Sequence, residues 1–282
     1  MNRFPPSKPD PLILEYRRGT VDALIGEPIS VDGYEEVYGG RVVGQTTGAL
    51  LHYGQSNQAN FMFDTYTPTA TNSHMMNPFS GGVYRMKEPV MGCNGGLPGG
   101  TNTYGCCLSR LGDKLIALGW RTRIVICSVA AGGTTSLQWA NGDCTNRLRV
   151  AARRMIGRGF APNIVVRHQG ESDTTQGFTP TQVRDNIFAE VAILRAEGVT
   201  CPVLCCLVAR TNTAAVGTPA YNNVRAGQIA ATGLFGNNLG IFAGPDTDQY
   251  DSNYRHDDLH WNALGADRFM DELKSYILAF AT

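Results

Sequence analysis

From about residue 48 onward, short apolar runs alternate with amphipathic segments. Ala49–Tyr53, Arg123–Ala130, Asn163–Arg167, Val203–Ala209 and Leu239–Ala243 read as strands. Three of them are near-continuous apolar runs, the pattern of strands covered on both faces of a parallel sheet. Between the strands, apolar residues recur at helical spacing. Leu108, Leu111, Leu115 and Leu118 make one stripe, and Leu148, Ala152 and Met155 a second. Val183, Ile187, Val191 and Leu194 follow a Thr179-Pro180 start signal, and Phe269, Leu273, Ile277 and Phe280 run to the C-terminus. The alternation predicts a doubly wound α/β fold, a flavodoxin-like three-layer α/β/α sandwich around a parallel five-stranded sheet.

Two stretches fall outside this rhythm. Residues 1–45, proline-rich at first, read as an N-terminal arm or small accessory layer beside a domain spanning 46–282. Residues 61–103 are rich in Gly, Asn, Thr, Met and Pro and include Gly95-Gly96-Leu97-Pro98-Gly99-Gly100. A loop of that length is usually functional or disordered. Following the first strand, it is expected to lie over the ligand-binding edge.

Ligands of open α/β sheets bind outside the carboxyl ends of the strands, so the residues after each strand carry the functional signal. Gly54-Gln55-Ser56-Asn57 follows the first strand and Gly132-Gly133-Thr134 the second. His168-Gln169-Gly170-Glu171-Ser172-Asp173 follows the third. After the fifth come Asp246, Asp248 and Asp251, then His256-Asp257-Asp258-Leu259-His260 ahead of the last helix. A serine, a glycine pair, an amide and an Asp/His cluster at one edge are the parts of acyl transfer: nucleophile, oxyanion donors, base and base-orienter. Singly, each has a plainer reading. Ser56 can be a helix N-cap, the glycine pair a tight turn, Asp257 a cap for the final helix, and His256 with His260 a metal pair.

Composition narrows the field. Of 282 residues, 43% are hydrophobic and 17% charged, enough apolar content for a sizeable core. Twenty-four basic and 24 acidic residues cancel, which argues against a nucleic-acid partner. No apolar run approaches the ~20 residues that span a bilayer, so no membrane association is expected. The start, Met1-Asn2-Arg3-Phe4-Pro5-Pro6, lacks the apolar stretch of a secretory signal, which points to a cytoplasmic or phage- or virion-associated chain. Eight cysteines without a CxxC pair read mostly as small buried hydrophobes, a disulfide at Cys93 or Cys144 being the lesser reading.

Taken together, the blocks Gly54-Gln55-Ser56-Asn57, Gly132-Gly133-Thr134, Gln169-Gly170-Glu171-Ser172-Asp173 and Asp257-Asp258-Leu259-His260 resemble the SGNH (GDSL-like) hydrolases over about residues 46–282. Within them the chain is most similar to the carbohydrate O-acetylesterase branch, which includes sialate O-acetylesterases and acetylxylan esterases of carbohydrate esterase family 6. The resemblance implies Ser56 as nucleophile, His260 as base and Asp257 as its orienter. It implies an oxyanion hole from the N–H of Ser56, the N–H of Gly132 (Gly133 competing by one register) and the side-chain amide of Gln169. Gln55, Asn57, Glu171 and Trp261 flank these groups as the substrate-contacting set, Glu171 also reading as a buried organiser of its loop. His168 departs from the branch, where an aromatic residue is often found.

These expectations describe a serine esterase that takes short acyl groups, acetyl foremost, off O-acetylated glycans or small acyl esters, with no cofactor or metal. Loops carrying Asn60, Tyr66, Asn94, Asn102, Tyr104 and Tyr254 suit a sugar better than a lipid chain. A homo-oligomer is compatible with all of this. Three other readings stay open: a general short-chain, lipase-like esterase of the superfamily, a non-catalytic glycan-binding module, and a metal-dependent hydrolase built on His256, His260, Asp246 and Asp248. Nucleotide binding is disfavoured by the absence of GxGxxG and GxxxxGK, and a lipase-type α/β-hydrolase by the absence of GxSxG.

Overall fold

A computed structural model describes residues 31, 33–40, 44–93, 105–212, 214–233 and 239–281. The glycine-rich stretch 95–100, with Asn94, Asn102 and Tyr104, lies outside the described residues, as does most of the arm.

Among the described residues, seven strands form one sheet: β1 (Thr47–Gly54), β2 (Ser73–Met76), β3 (Val83–Arg85), β4 (Arg123–Ser128), β5 (Ile164–His168), β6 (Val203–Leu207) and β7 (Ile241–Asp246). Their order is β3-β2-β4-β1-β5-β6-β7, parallel throughout except for the β2–β3 pair. Within it, β4-β1-β5-β6-β7 are the five strands expected from the sequence, in the 2-1-3-4-5 order of a flavodoxin-like sheet. Beyond that five-stranded expectation stand β2 and β3. They rise out of the segment read as a loop, where Met75, Met76 and Tyr84 supply a buried edge without a long apolar run. Part of the arm follows β3: Glu36 bridges to Tyr84, and the Val37 N–H donates to the Val83 carbonyl at 2.8 Å.

Among the described residues, seven helices cover the sheet: α1 (Leu108–Ala117), α2 (Ser136–Asn141), α3 (Thr145–Gly157), α4 (Glu171–Thr175), α5 (Pro180–Ala196), α6 (Pro219–Thr232) and α7 (Ala263–Phe280). The start signal at α5 is real. Thr179 forms a capping box with Gln182, and Pro180 takes the first turn, where its missing N–H costs nothing. Alternate residues of each strand feed two cores. Leu50, Ile126 and Val166 pack with Leu111 of α1 and Phe269 of α7 on one face. Leu51, Val125 and Val165 pack with Leu148 of α3, Val191 of α5 and Val224 of α6 on the other. The chain leaves β1 toward β4 on one side and reaches β5 on the other, so the switch point lies at the carboxyl end of β1.

Candidate active site

Backbone bonds draw three loops together at that point. The Gln55 N–H donates to the His168 carbonyl at 3.3 Å, and the Ala131 N–H to the Gly54 carbonyl at 2.9 Å. Gly54 sits at φ 146°, and a β-carbon there would lie 1.9 Å from the His168 carbonyl oxygen. Only glycine allows that approach. The chain then makes a one-turn 3-10 helix, Ser56–Gln58, which brings Ser56 to the sheet edge.

The last loop supplies the partners. Arg255 bridges to Trp261, and the His256 N–H donates to the His260 carbonyl at 2.9 Å, closing a small loop between them. Asp258 turns its tip at φ 63°, a conformation Asp tolerates better than most residues. Inside the loop, one Asp257 oxygen accepts the N–H groups of Leu259 (3.0 Å) and His260 (2.6 Å). Its other oxygen accepts the His260 Nδ1–H at 2.7 Å, while His260 Nε2 lies 2.9 Å from Ser56 Oγ. Nδ1–H donating to the carboxylate leaves Nε2 free of hydrogen to accept the serine proton. Burial pushes the Asp257 carboxyl up, but the His260 backbone N–H and imidazole outweigh it and hold its pKa below the usual carboxylate range.

Phe61, which sequence reasoning did not single out, stacks on His260 at 5.4 Å and 17°. It also abuts Gly132, where a β-carbon would come within 2.5 Å of its ring. Gly132 thus shares a wall with the His260 ring, while Gly133, at φ 72°, faces open space.

Gln169 departs from expectation. Fully buried, it donates from Nε2 to Gln55 Oε1 at 2.9 Å and to the Thr134 carbonyl at 2.6 Å. Both amide hydrogens are spent, so this amide locks the three loops together and has none left for an oxyanion. The expected substrate-contacting set is buried as well. Gln55 Oε1 also accepts the Ser172 N–H at 3.1 Å. Asn57 Nδ2 donates to Glu171 Oε1 (3.0 Å) and the Leu259 carbonyl (3.2 Å), and Trp261 Nε1 donates to the Asn57 carbonyl (3.1 Å). These four residues hold the serine and histidine loops from behind. Glu171 lies so deep that desolvation raises its pKa to about 7, and desolvation with the nearby Arg255 charge pushes His168 down to about 3.

The acidic residues upstream sort differently from the metal-hydrolase reading. Asp246 and Asp248 pair with Arg225 at 2.7 and 3.0 Å, and Asp248 also accepts the N–H groups of Ala209 and Arg210. Among the described residues, the group with metal-ligand spacing is His256, Asp257 and His260, whose ligand atoms lie within 4.8 Å of one another. All eight cysteines are free thiols, six of them buried.

Comparison with solved structures settles the fold. A protein of Arabidopsis thaliana, 14% identical, superposes with a TM-score of 0.64 over 83% of this chain and 99% of its own. A protein described as a GDSL-like lipase from Parabacteroides merdae, 11% identical, gives 0.51 over 81% and 94%. The fold is that of the SGNH hydrolases. A carbohydrate acetylesterase from Xanthomonas citri, 15% identical, also gives 0.51, over 83% of this chain and 56% of its own. No protein-family model and no curated protein sequence matches the chain.

Proposed function

We propose that this SGNH-fold chain is a serine esterase that removes short acyl groups, acetyl foremost, from carbohydrate hydroxyls. The observation that carries the reading is the unbroken run from Ser56 Oγ to His260 Nε2 (2.9 Å) and from His260 Nδ1 to Asp257 Oδ2 (2.7 Å). Ser56 attacks the ester carbonyl as His260 takes its proton, and Asp257 stabilises the imidazolium. His260 then returns that proton to the leaving sugar oxygen, and water, deprotonated by His260, hydrolyses the acyl-enzyme. The N–H groups of Ser56 and Gly132 are assigned to the oxyanion, each such donor being typically worth roughly 100–1000-fold in rate. Gln169 is assigned to positioning.

Two features support a small acyl group on a sugar. The Phe61 ring, wedged between His260 and Gly132, narrows the space beside the nucleophile. Phe63 stands 62% exposed at the rim, 4.1 Å from the His256 ring, as an apolar surface for a sugar ring face. The test is acetate release across a panel of O-acetylated glycans with Ser56→Ala as blank, beside p-nitrophenyl esters from acetate to octanoate. Acetate release from at least one glycan and a steep fall in kcat/KM beyond propionate are expected. A maximum at hexanoate or longer, with no glycan deacetylated, contradicts the carbohydrate reading and favours a general esterase.

A further inference from the structure

His256 has no part in the proton path, yet it is built against it. Its ring stacks on His260 at 5.7 Å and 20°, with Phe63 on it at 4.1 Å. Its Nε2 lies 3.2 Å from the Phe61 carbonyl oxygen. A carbonyl only accepts, so Nε2 carries the hydrogen, and in the neutral ring Nδ1 is a bare lone pair. That Nδ1 is shielded from solvent and has no hydrogen-bond partner among the described residues. It faces Asp257 Oδ2 at 3.9 Å, and the same oxygen lies 2.7 Å from His260 Nδ1. A lone pair set beside a carboxylate with nothing between them is the arrangement of a cation site.

We propose that His256 Nδ1, Asp257 Oδ2 and His260 Nδ1 bind a borderline-soft divalent ion, with Zn²⁺ as the fitting chemistry, and that its binding turns the esterase off. Two imidazoles and a carboxylate with an open fourth position are an ordinary zinc donor set. Ligand atoms at zinc bonding distance stand roughly 3.3 Å apart in a tetrahedral site. The separations seen, from 2.7 Å to within 4.8 Å, bracket that value, so side-chain adjustment suffices.

The inhibitory consequence follows from the tautomer and rests on the esterase reading above; the binding does not. When the ion takes the Nδ1 lone pair of His260, the N–H bond at Nδ1 breaks and one forms at Nε2 through solvent. No net proton is released and no electron changes hands. Nε2–H then points at Ser56 and can no longer accept its proton, and Asp257 is drawn off the imidazole.

The test uses the full chain stripped with chelator, at pH 8, where free imidazole is neutral. Equilibrium dialysis against ZnCl₂ should give one ion per chain, and Co²⁺ in its place should show the visible absorption of a tetrahedral site. His256→Gln, whose amide still donates to the Phe61 carbonyl, should weaken binding at least tenfold, and His256→Asn should do the same. Stoichiometric zinc should slow p-nitrophenyl acetate hydrolysis at least tenfold, and chelator should restore it. His256→Gln should keep turnover within a few-fold and resist the zinc. Absence of stoichiometric binding, or binding unmoved by both His256 variants, overturns the site. Binding to an active esterase without inhibition overturns the switch. If the chain hydrolyses no ester at all, dialysis and Co²⁺ absorption still decide the site on their own.

Discussion

Asn57 is fastened to Trp261 at two points: its side-chain oxygen accepts the Trp261 backbone N–H at 3.3 Å, and its carbonyl accepts the indole Nε1–H at 3.1 Å. The residue after Ser56 thereby holds the residue after His260, and its Nδ2 reaches the Leu259 carbonyl just before it. The geometry between Ser56 and His260 is set from beneath, by a side chain that faces the protein interior.

Asn57→Ala should therefore lower kcat roughly 100-fold, the scale on which small misplacements of catalytic groups act. KM should move little. Near-normal kcat would show that the histidine loop holds its place without this tie.

Asp257 and Asp258 separate cleanly in the structure. Asp257→Asn should cut kcat by roughly 10³–10⁴-fold, since an amide cannot hold the imidazole tautomer as the carboxylate does. Asp258 only forms the loop tip, so Asp258→Asn should stay within a few-fold of wild type. The reverse ranking in steady-state kinetics would reassign the orienting carboxylate.

Glu171 gives stability a pH dependence of known sign. Desolvation raises its pKa from 4.5 to about 7 in the fold, the Asn57 hydrogen bond opposing. His168, Arg255, Asp248 and Cys206 are ionisable groups near it. Between those two pH values the unfolded chain has lost a proton that the folded chain keeps, so this group's contribution falls as pH rises, then levels off above about 7. His168, held near pKa 3, acts in the opposite sense below 6.5. The difference in Tm between wild type and Glu171→Gln isolates the first effect and should shift against wild type from pH 4.5 to 7. A difference flat across that range would contradict it.

Beneath the same edge, Arg167 and Glu190 form a wholly buried ion pair at 2.5 Å, and Arg167 also donates to the Gln169 carbonyl at 2.8 Å. Glu190→Ala leaves the guanidinium uncompensated and should cost about 3–5 kcal/mol in denaturant unfolding. A cost under about 1 kcal/mol would mean that the Gln169 carbonyl and the Cys205 sulfur alone satisfy the cation.

The sequence exposed those elements whose local pattern matches their fate. β1, β4 and β5 carry continuous apolar runs because both faces are covered, and the polar residues after them fall at one edge by the geometry of parallel sheets. β2 and β3 escaped because four and three residues hold too few alternations to register. α6 escaped because its buried face includes Gly227 and Gln228 in place of large apolar residues. At the site, the motifs fell at one edge as their sequence positions implied, but the direction of an amide is a tertiary fact. Gln169 sits in its motif, yet nothing in the motif tells that Gln55 and Thr134 claim both its hydrogens. Phe61 gave no signal, being one aromatic residue in a polar loop.

The most direct test of the central claim is covalent labelling with a serine-reactive alkyl phosphonate, followed by peptide mass mapping. Ser56, activated by His260 at 2.9 Å, should carry one phosphonyl group per chain with matching loss of p-nitrophenyl acetate hydrolysis, and Ser56→Ala should take up none. Labelling at another residue, or an alanine variant that still turns over ester at near wild-type rate, would contradict the assignment of Ser56 as nucleophile.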